Sequence, residues 1–345
     1  MPPTPRELGY RFPAEWEERK ATWLSWPHNR ETWPHSLEAI QRLWWLLMDT
    51  LSGSERVSVL VSEEEYNRHP MPYGQVKIIR QNIIFHKCPT NDAWLRDCGP
   101  TFLKGHAGLP AALIDWKYNA WGEKFPPYDA DDAIPKYIAR FGNYRRFEPG
   151  IVMEGGSVET DGEGTLLTTE NCLLNPNRNP HLKREEIEEI LREYLSVDKI
   201  IWLQGEIAGD DTDGHIDQLT RFVCPGVVVT ALEEDPQDEN YQALKDNYQH
   251  LMQLSDARGR ALEVIPLPMP RPIFAPEGHR LPASYANFYI GKSVVIVPSF
   301  EDPADAVAGE ILQRLFPQHA VFLLPARELV YGCGAFHCIT QQEPA

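Results

Sequence analysis

A stretch with helical apolar spacing, followed by a short strand-like run, recurs five times along this chain. That recurrence limits the fold more than any other feature. The spacing predicts helices over His35–Leu51, Asp131–Phe141, Lys183–Leu195, Tyr241–Leu254 and Asp305–Phe316. In the third, Ile187, Ile190, Leu191 and Tyr194 fall on one face while Glu and Arg residues face water. After each helix comes a run rich in Val, Ile, Leu or Phe: Val57–Val61, Phe147–Met153, Lys199–Leu203, Leu262–Leu267 and Ala320–Leu324. Val227–Leu232 and Val294–Val297 add strands between these units. No phosphate-type glycine loop follows an early strand, so a repeated α/β architecture is favoured over a doubly wound sheet.

Reactive side chains stand shortly after four of the five strands: Asp97, Glu154, His215 and Cys338. Polar groups at equivalent ends of repeated units can converge on one central pocket. In "NDAWLRDCGPTFL", Trp94, Arg96 and Asp97 precede the turn signal Gly99-Pro100. Asp97 there reads either as an acceptor for a planar cation, with two oxygens to match a guanidinium fork, or as half of a surface turn over a buried Trp. In "VMEGGSVETDGEG", Glu154 follows an apolar run, and Gly155-Gly156 lets the backbone turn or approach a neighbour closely. Glu154 either orients a histidine or is an ordinary strand-end carboxylate.

"GDDTDGHIDQLTRF" invites comparison with a calcium loop, but Gly209 occupies a required acidic position and the closing Glu is missing. Asp213 to Asp217 reads instead as a turn into a short strand, with His215 and Asp217 on one face. A base beside a carboxylate suits proton transfer next to a bound cation, although a lone histidine is more often structural. The terminal "YGCGAFHCITQQEPA" mimics a nucleotide fingerprint, yet His337 stands where the third glycine belongs and only eight residues follow it. Gly332 and Gly334 are better explained as making room for a cysteine. Cys338 is the candidate nucleophile, and His337 would point away from it in an extended segment. His215 is therefore the candidate base, and Cys333 reads as a replacement for a glycine.

Charge narrows the partners. Against 33 basic residues stand 50 acidic ones, a formal net charge of −17, which opposes sequence-independent nucleic-acid binding and is compatible with drawing in a small cation. No leader pattern and no run of about 18 apolar residues is present, so the expectation is a soluble cytoplasmic protein with no membrane partner. The 6 cysteines are too sparse for a disulfide scaffold and read as reduced thiols.

Taken together, the chain resembles the agmatine deiminase and bacterial peptidyl-arginine deiminase-like family of guanidine-modifying enzymes over nearly its whole length. The carriers are "PAEWEERKATWLSWP", "DAWLRDCGP", "YNAWGEKFPPYDADD", "EGGSVETDGEGTLLTTENCLLNPNRNP", "DTDGHID", "LPASYANFYI" and "HCITQQ". The resemblance implies the pentein fold, an α/β five-bladed propeller with pseudo-fivefold symmetry, forming a single catalytic domain over residues 1–345. It implies that Cys338 attacks a guanidinium carbon and that His215 protonates the departing ammonia and then activates water. Asp97 and Asp217 would clamp the guanidinium, Glu154 would hold and polarise His215, and Trp94 and Asp211 would line the far end of the substrate. No metal or organic cofactor is implied; the partner is a small cationic guanidino compound, with agmatine leading and peptidyl-arginine or another guanidine as the alternative. Two segments depart from the agmatine deiminase pattern: the short "NAWGEKFPPYDADD", and "GCGAF" where a run resembling G-G-G-N-I is usual. Both fall where the pocket rim is expected. A Cys-His-acid amide hydrolase and a non-catalytic binding protein are the readings from other classes.

Overall fold

Each predicted helix–strand joint is the second half of a larger unit. In the structure, a computed structural model that describes residues 2–68, 82–106 and 108–345, two antiparallel strands precede the helix and a third strand returns parallel to the second. Thus Thr101–Gly105 and Ala112–Ile114 pair antiparallel, the helix Ile134–Gly142 crosses over, and Arg145–Phe147 lies parallel to Ala112–Ile114. Val158–Thr160, Thr165–Thr169, helix Arg184–Leu195 and Lys199–Leu203 repeat the order. So do Thr220–Cys224, Val227–Leu232, Tyr241–Leu251 and Glu263–Pro268, and then Tyr289–Ile290, Val294–Ser299, Ala304–Leu315 and Ala320–Pro325. A parallel return needs a crossover connection, which is why a helix stands at the same place in every unit.

The remaining unit is assembled from both ends of the chain. Thr340–Pro344 pairs antiparallel with Arg19–Ser25, the helix Leu37–Ser52 follows, and Arg56–Val61 lies parallel to Arg19–Ser25, with Ile83–Lys87 beyond it. In that helix Leu37, Ile40, Leu43, Trp44, Leu47, Met48 and Leu51 are buried, the stripe expected of a helix laid on a sheet. Its core joins Val57 and Val59 to Val295 and Val297 of the neighbouring unit. The C-terminal residues are therefore interior: Arg96 Nη1 donates to Gln341 Oε1 at 2.8 Å and Gln342 Oε1 at 2.7 Å, and Gln341 Nε2 donates to the Pro100 carbonyl at 2.7 Å.

Two local expectations are corrected. The strand predicted over Phe147–Met153 stops at Phe147, because Pro149 has no N–H to donate and Gly150 takes a left-handed backbone (φ +81°). Beyond that break, Val152 bridges to Lys117 and carries the chain inward toward Glu154. The short strand expected at His215–Asp217 is instead a 3-10 turn, Ile216–Gln218, entered from an extended His215 after left-handed Asp213 and Gly214.

Candidate active site

Three short turns bring distant segments together. Asp97 sits on the one-turn helix Leu95–Cys98, Glu154 leads into the 3-10 turn Gly155–Ser157, and His215 leads into Ile216–Gln218. Cys338 lies in the turn just before the terminal strand, and its carbonyl accepts from Arg96 N at 3.0 Å, tying the nucleophile candidate to the Asp97 helix. Gly155 packs against the Arg96 carbonyl so closely that any Cβ would collide with it. At the other end Gly332 and Gly334 lie flush on Trp94: a Cβ on either would stand 2.6 Å from the indole, and one on Gly334 only 3.2 Å from Cys338 Sγ. Gly334 therefore makes room beside Cys338 as the sequence suggested, whereas Gly332 makes room for Trp94, Thr32 and Trp33 instead. Cys333 between them adopts a glycine-like backbone (φ +66°).

The five reactive groups meet in the interior. Cys338 Sγ stands 3.5 Å from Asp217 Oδ2. His215 lies 3.7 Å from Asp97 Oδ1 through Nδ1 and 3.7 Å from Glu154 Oε2 through Nε2. Asp97 is fixed from two sides, accepting from Gly156 N at 2.9 Å and from Trp121 Nε1 at 3.0 Å. Glu154 is held by Arg178 Nε at 2.6 Å, both side chains being fully buried. Among the described residues both ring nitrogens of His215 and Oδ1 of Asp217 have no hydrogen-bond partner, so this buried cluster keeps unspent donor and acceptor capacity.

Electrostatics divide the groups by role. Burial, with Asp217 and Asp97 adding negative potential, pushes the Cys338 thiol well above its ordinary range. Burial opposes a charged His215, but Asp97, Cys172 and Glu154 outweigh it and favour the imidazolium. Burial raises the Asp97 carboxyl, against the neighbouring His215 and with Asp217 and Glu154. Asp217 stays below the usual carboxylate range despite burial, because His337, His215 and Arg221 surround it. A thiol, an imidazolium and carboxylates in a water-poor site are complementary to a flat cation that must be attacked at carbon and protonated at nitrogen.

A cavity of about 750 Å³ opens onto this cluster, lined by Trp94, Asp97, Trp121, Asp211, Cys333 and Cys338 among others. Both segments that depart from the family pattern reach it, Trp121 to Tyr128 from one side and Tyr331 to Gly334 from the other. Glu154, Cys172 and His215 bring one ligand atom each within 4.8 Å of one another, the one such trio among the described residues. It fits a metal poorly, since Glu154 already faces the Arg178 guanidinium, whose charge would oppose a cation.

Several residues at the site were not singled out from sequence. Asn287 donates to Cys338 Sγ, Arg178 holds Glu154, and Trp121 holds Asp97. His337, set aside as pointing away, has Nδ1 2.7 Å from Asp217 Oδ2 and Nε2 2.9 Å from Glu15 Oε2, because the chain turns at that point instead of extending. Asn287, Arg178, Trp121 and His337 all lie in segments that carried the resemblance, but their partners are far away in sequence, so no local pattern announced them. Among the described residues no helix is long and apolar enough to cross a membrane.

Comparison with known proteins gives the class, a deiminase, a hydrolase acting on carbon–nitrogen bonds of amidines. The family model described as Porphyromonas-type peptidyl-arginine deiminase matches residues 11–344, and the chain belongs to that family. It is 40% identical to the agmatine deiminase of Ectopseudomonas mendocina, over 99% of this chain and 97% of that one. Among solved structures it is similar to the agmatine deiminase of Enterococcus faecalis, with a TM-score of 0.92, 35% identity and coverage of 99% and 98%. A substrate-bound cysteine-to-serine variant of the C. jejuni agmatine deiminase gives a TM-score of 0.87 at 30% identity, covering 97% of this chain and 96% of that one.

Proposed function

We propose that this protein hydrolyses agmatine to N-carbamoylputrescine and ammonia through an S-alkylthiouronium intermediate on Cys338. The observation that carries the reading is a buried thiol 3.5 Å from one carboxylate, in a cavity that also holds Asp97 and, apart from them, Asp211. Asp97 and Asp217 accept the guanidinium N–H groups and fix its plane, and the entering positive charge offsets the potential that keeps Cys338 protonated. As the substrate seats, the Cys338 thiol gives its proton to solvent, and the resulting thiolate attacks the guanidinium carbon. His215 gives its proton to one amino group, and ammonia leaves as the thiouronium forms. Neutral His215, oriented by Glu154, then takes a proton from water, and the resulting hydroxide adds to the same carbon. Collapse to the urea breaks the C–S bond and regenerates the thiolate, while the proton lost as the carbonyl forms leaves with ammonia as ammonium. Positioning of this kind lowers a barrier by ~7–11 kcal/mol in favourable cases. Asp211 serves as partner for the ammonium of the aminobutyl arm, and Trp94 lies along it.

On this reading the five repeated units are the five blades of a pentein propeller forming one catalytic domain over residues 1–345. The repeated strand order and the seating of the terminal strand in the Arg19–Ser25 sheet support it. The reading extends to a cytoplasmic enzyme of putrescine biosynthesis. Ammonia release from agmatine, arginine and arginine-containing peptides tests it, with Cys338→Ala inactive and Asp97→Asn slowed on the order of a thousandfold by loss of a bidentate charged acceptor. Turnover of the peptides alone would overturn the agmatine assignment in favour of a peptidyl-arginine deiminase. Asp97→Asn retaining most activity would point instead to an amide hydrolase.

A further inference from the structure

We propose that Asn287 is the positioning residue of the nucleophile: its carboxamide fixes the loop that carries Cys338 and donates a hydrogen bond to the sulfur. The proposal rests on reading Cys338 as the nucleophile. Asn287 is fully buried, two residues ahead of the strand Tyr289–Ile290. Its Oδ1 accepts from the backbone N–H groups of Ala335 at 3.1 Å, His337 at 3.1 Å and Cys338 at 3.3 Å. Its own carbonyl also accepts from His337 N at 3.1 Å. On the other side of the amide, Nδ2 stands 3.1 Å from Cys338 Sγ.

The two ends of a carboxamide are chemically opposite, and here the surroundings decide which is which. Three N–H donors converge on one atom, so that atom must be the oxygen; turning the amide over would set an NH2 group against all three. The amino group is thereby committed to the sulfur. A thiolate is a far better acceptor than a thiol, so a donor held in this place favours the ionised form. It acts against Asp217 and Asp97, the carboxylates that a guanidinium site needs and a thiolate resists. One neutral side chain therefore aims the nucleophile and partly relieves the conflict built into its surroundings, without adding a cation that would repel the substrate.

The test is Asn287→Asp. Its first oxygen still accepts from the three backbone donors, while its second can donate to Sγ only when the carboxyl is protonated. Substrate-free alkylation of Cys338 by iodoacetamide, followed by peptide mass spectrometry across a pH series, reads the thiol directly. The expected result is alkylation about ten- to a hundredfold slower than wild type once the new carboxyl ionises, with the gap closing as the pH falls. The kcat for ammonia release should follow the same profile while KM changes little. Asn287→Ser, too short to reach the sulfur, should show slow alkylation at every pH, and serves if the aspartate variant does not fold. Folded variants with wild-type alkylation profiles would overturn the proposal. Because alkylation needs no substrate, that failure is distinct from agmatine proving unreactive.

Discussion

Gly156→Ala should cripple catalysis without unfolding the protein, for a reason that can be worked out from three contacts. A Cβ on Gly156 would stand 2.7 Å from Asp97 Oδ1, 2.7 Å from His215 Nδ1 and 3.0 Å from Asp217 Oδ2. Ordinary van der Waals contact begins near 3.4 Å, so the two nearest groups must retreat by about 0.7 Å. The backbone of Gly156 is not left-handed, so alanine meets no conformational penalty and the effect is steric. Neither neighbour can yield freely. Asp97 is pinned by Gly156 N and Trp121 Nε1, and His215 is fully buried. Misplacement of catalytic groups by ~1 Å costs about 10²-fold in rate, whereas overpacking of an interior costs roughly 1–3 kcal/mol of stability. The expected outcome is a kcat for ammonia release from agmatine lowered about a hundredfold, in a protein that still melts cooperatively. Gly53→Ala is the control, since its Cβ would meet only the Thr50 carbonyl oxygen, at 3.5 Å. A folded Gly156→Ala with wild-type kcat would show that these groups need not hold their observed positions, and the reasoning would fail.

Burial and the neighbouring Asp210 raise the Asp211 carboxyl to about 7. Its charged form is therefore lost as pH falls through that value, and KM for agmatine should rise below it; Asp211→Asn should have a high KM that no longer depends on pH there. Arg178→Ala strands Glu154 as a buried charge and should destabilise the protein by about 3–5 kcal/mol in urea unfolding. Burial opposes ionisation of Glu154, but Arg178 and His215 keep its folded-state pKa below the ordinary 4.5. Its stabilisation is thus complete above 4.5 and lost as pH falls through the lowered value, so the gap between variant and wild type should narrow on acidification.

Local pattern was a good guide wherever one face of an element meets apolar neighbours. Lys199–Leu203 and Val227–Leu232 have the predicted limits, and the third helix runs from Arg184 to Leu195 as its stripe of Ile187 and Leu191 required. It failed where polar residues are interior. Thr220–Cys224 was missed because it carries Arg221, a residue that reads as surface but is fully buried against Glu159 at 2.9 Å. It failed again at Ile151 and Met153, apolar residues packed inside without joining the predicted strand. The candidate site was legible as an inventory of Cys338, His215, Glu154, Asp97 and Asp217, but not as a network. Asn287 carried no signal of its own, and its importance lies wholly in the four atoms of the distant tail that it touches.

The sequence alone determined the repeated alternation of helices and strands and the candidates for reactive side chains, because periodicity and side-chain chemistry are properties of a few consecutive residues. Tertiary structure decided which of those side chains meet. Seating the terminal strand beside Arg19–Ser25 carries Cys338 back to the Asp97 helix, and the turn before it swings His337 onto Asp217 and Glu15. Those contacts depend on strand pairing and on the burial of compensating charges across hundreds of residues, and neither leaves a mark in any single stretch of the chain.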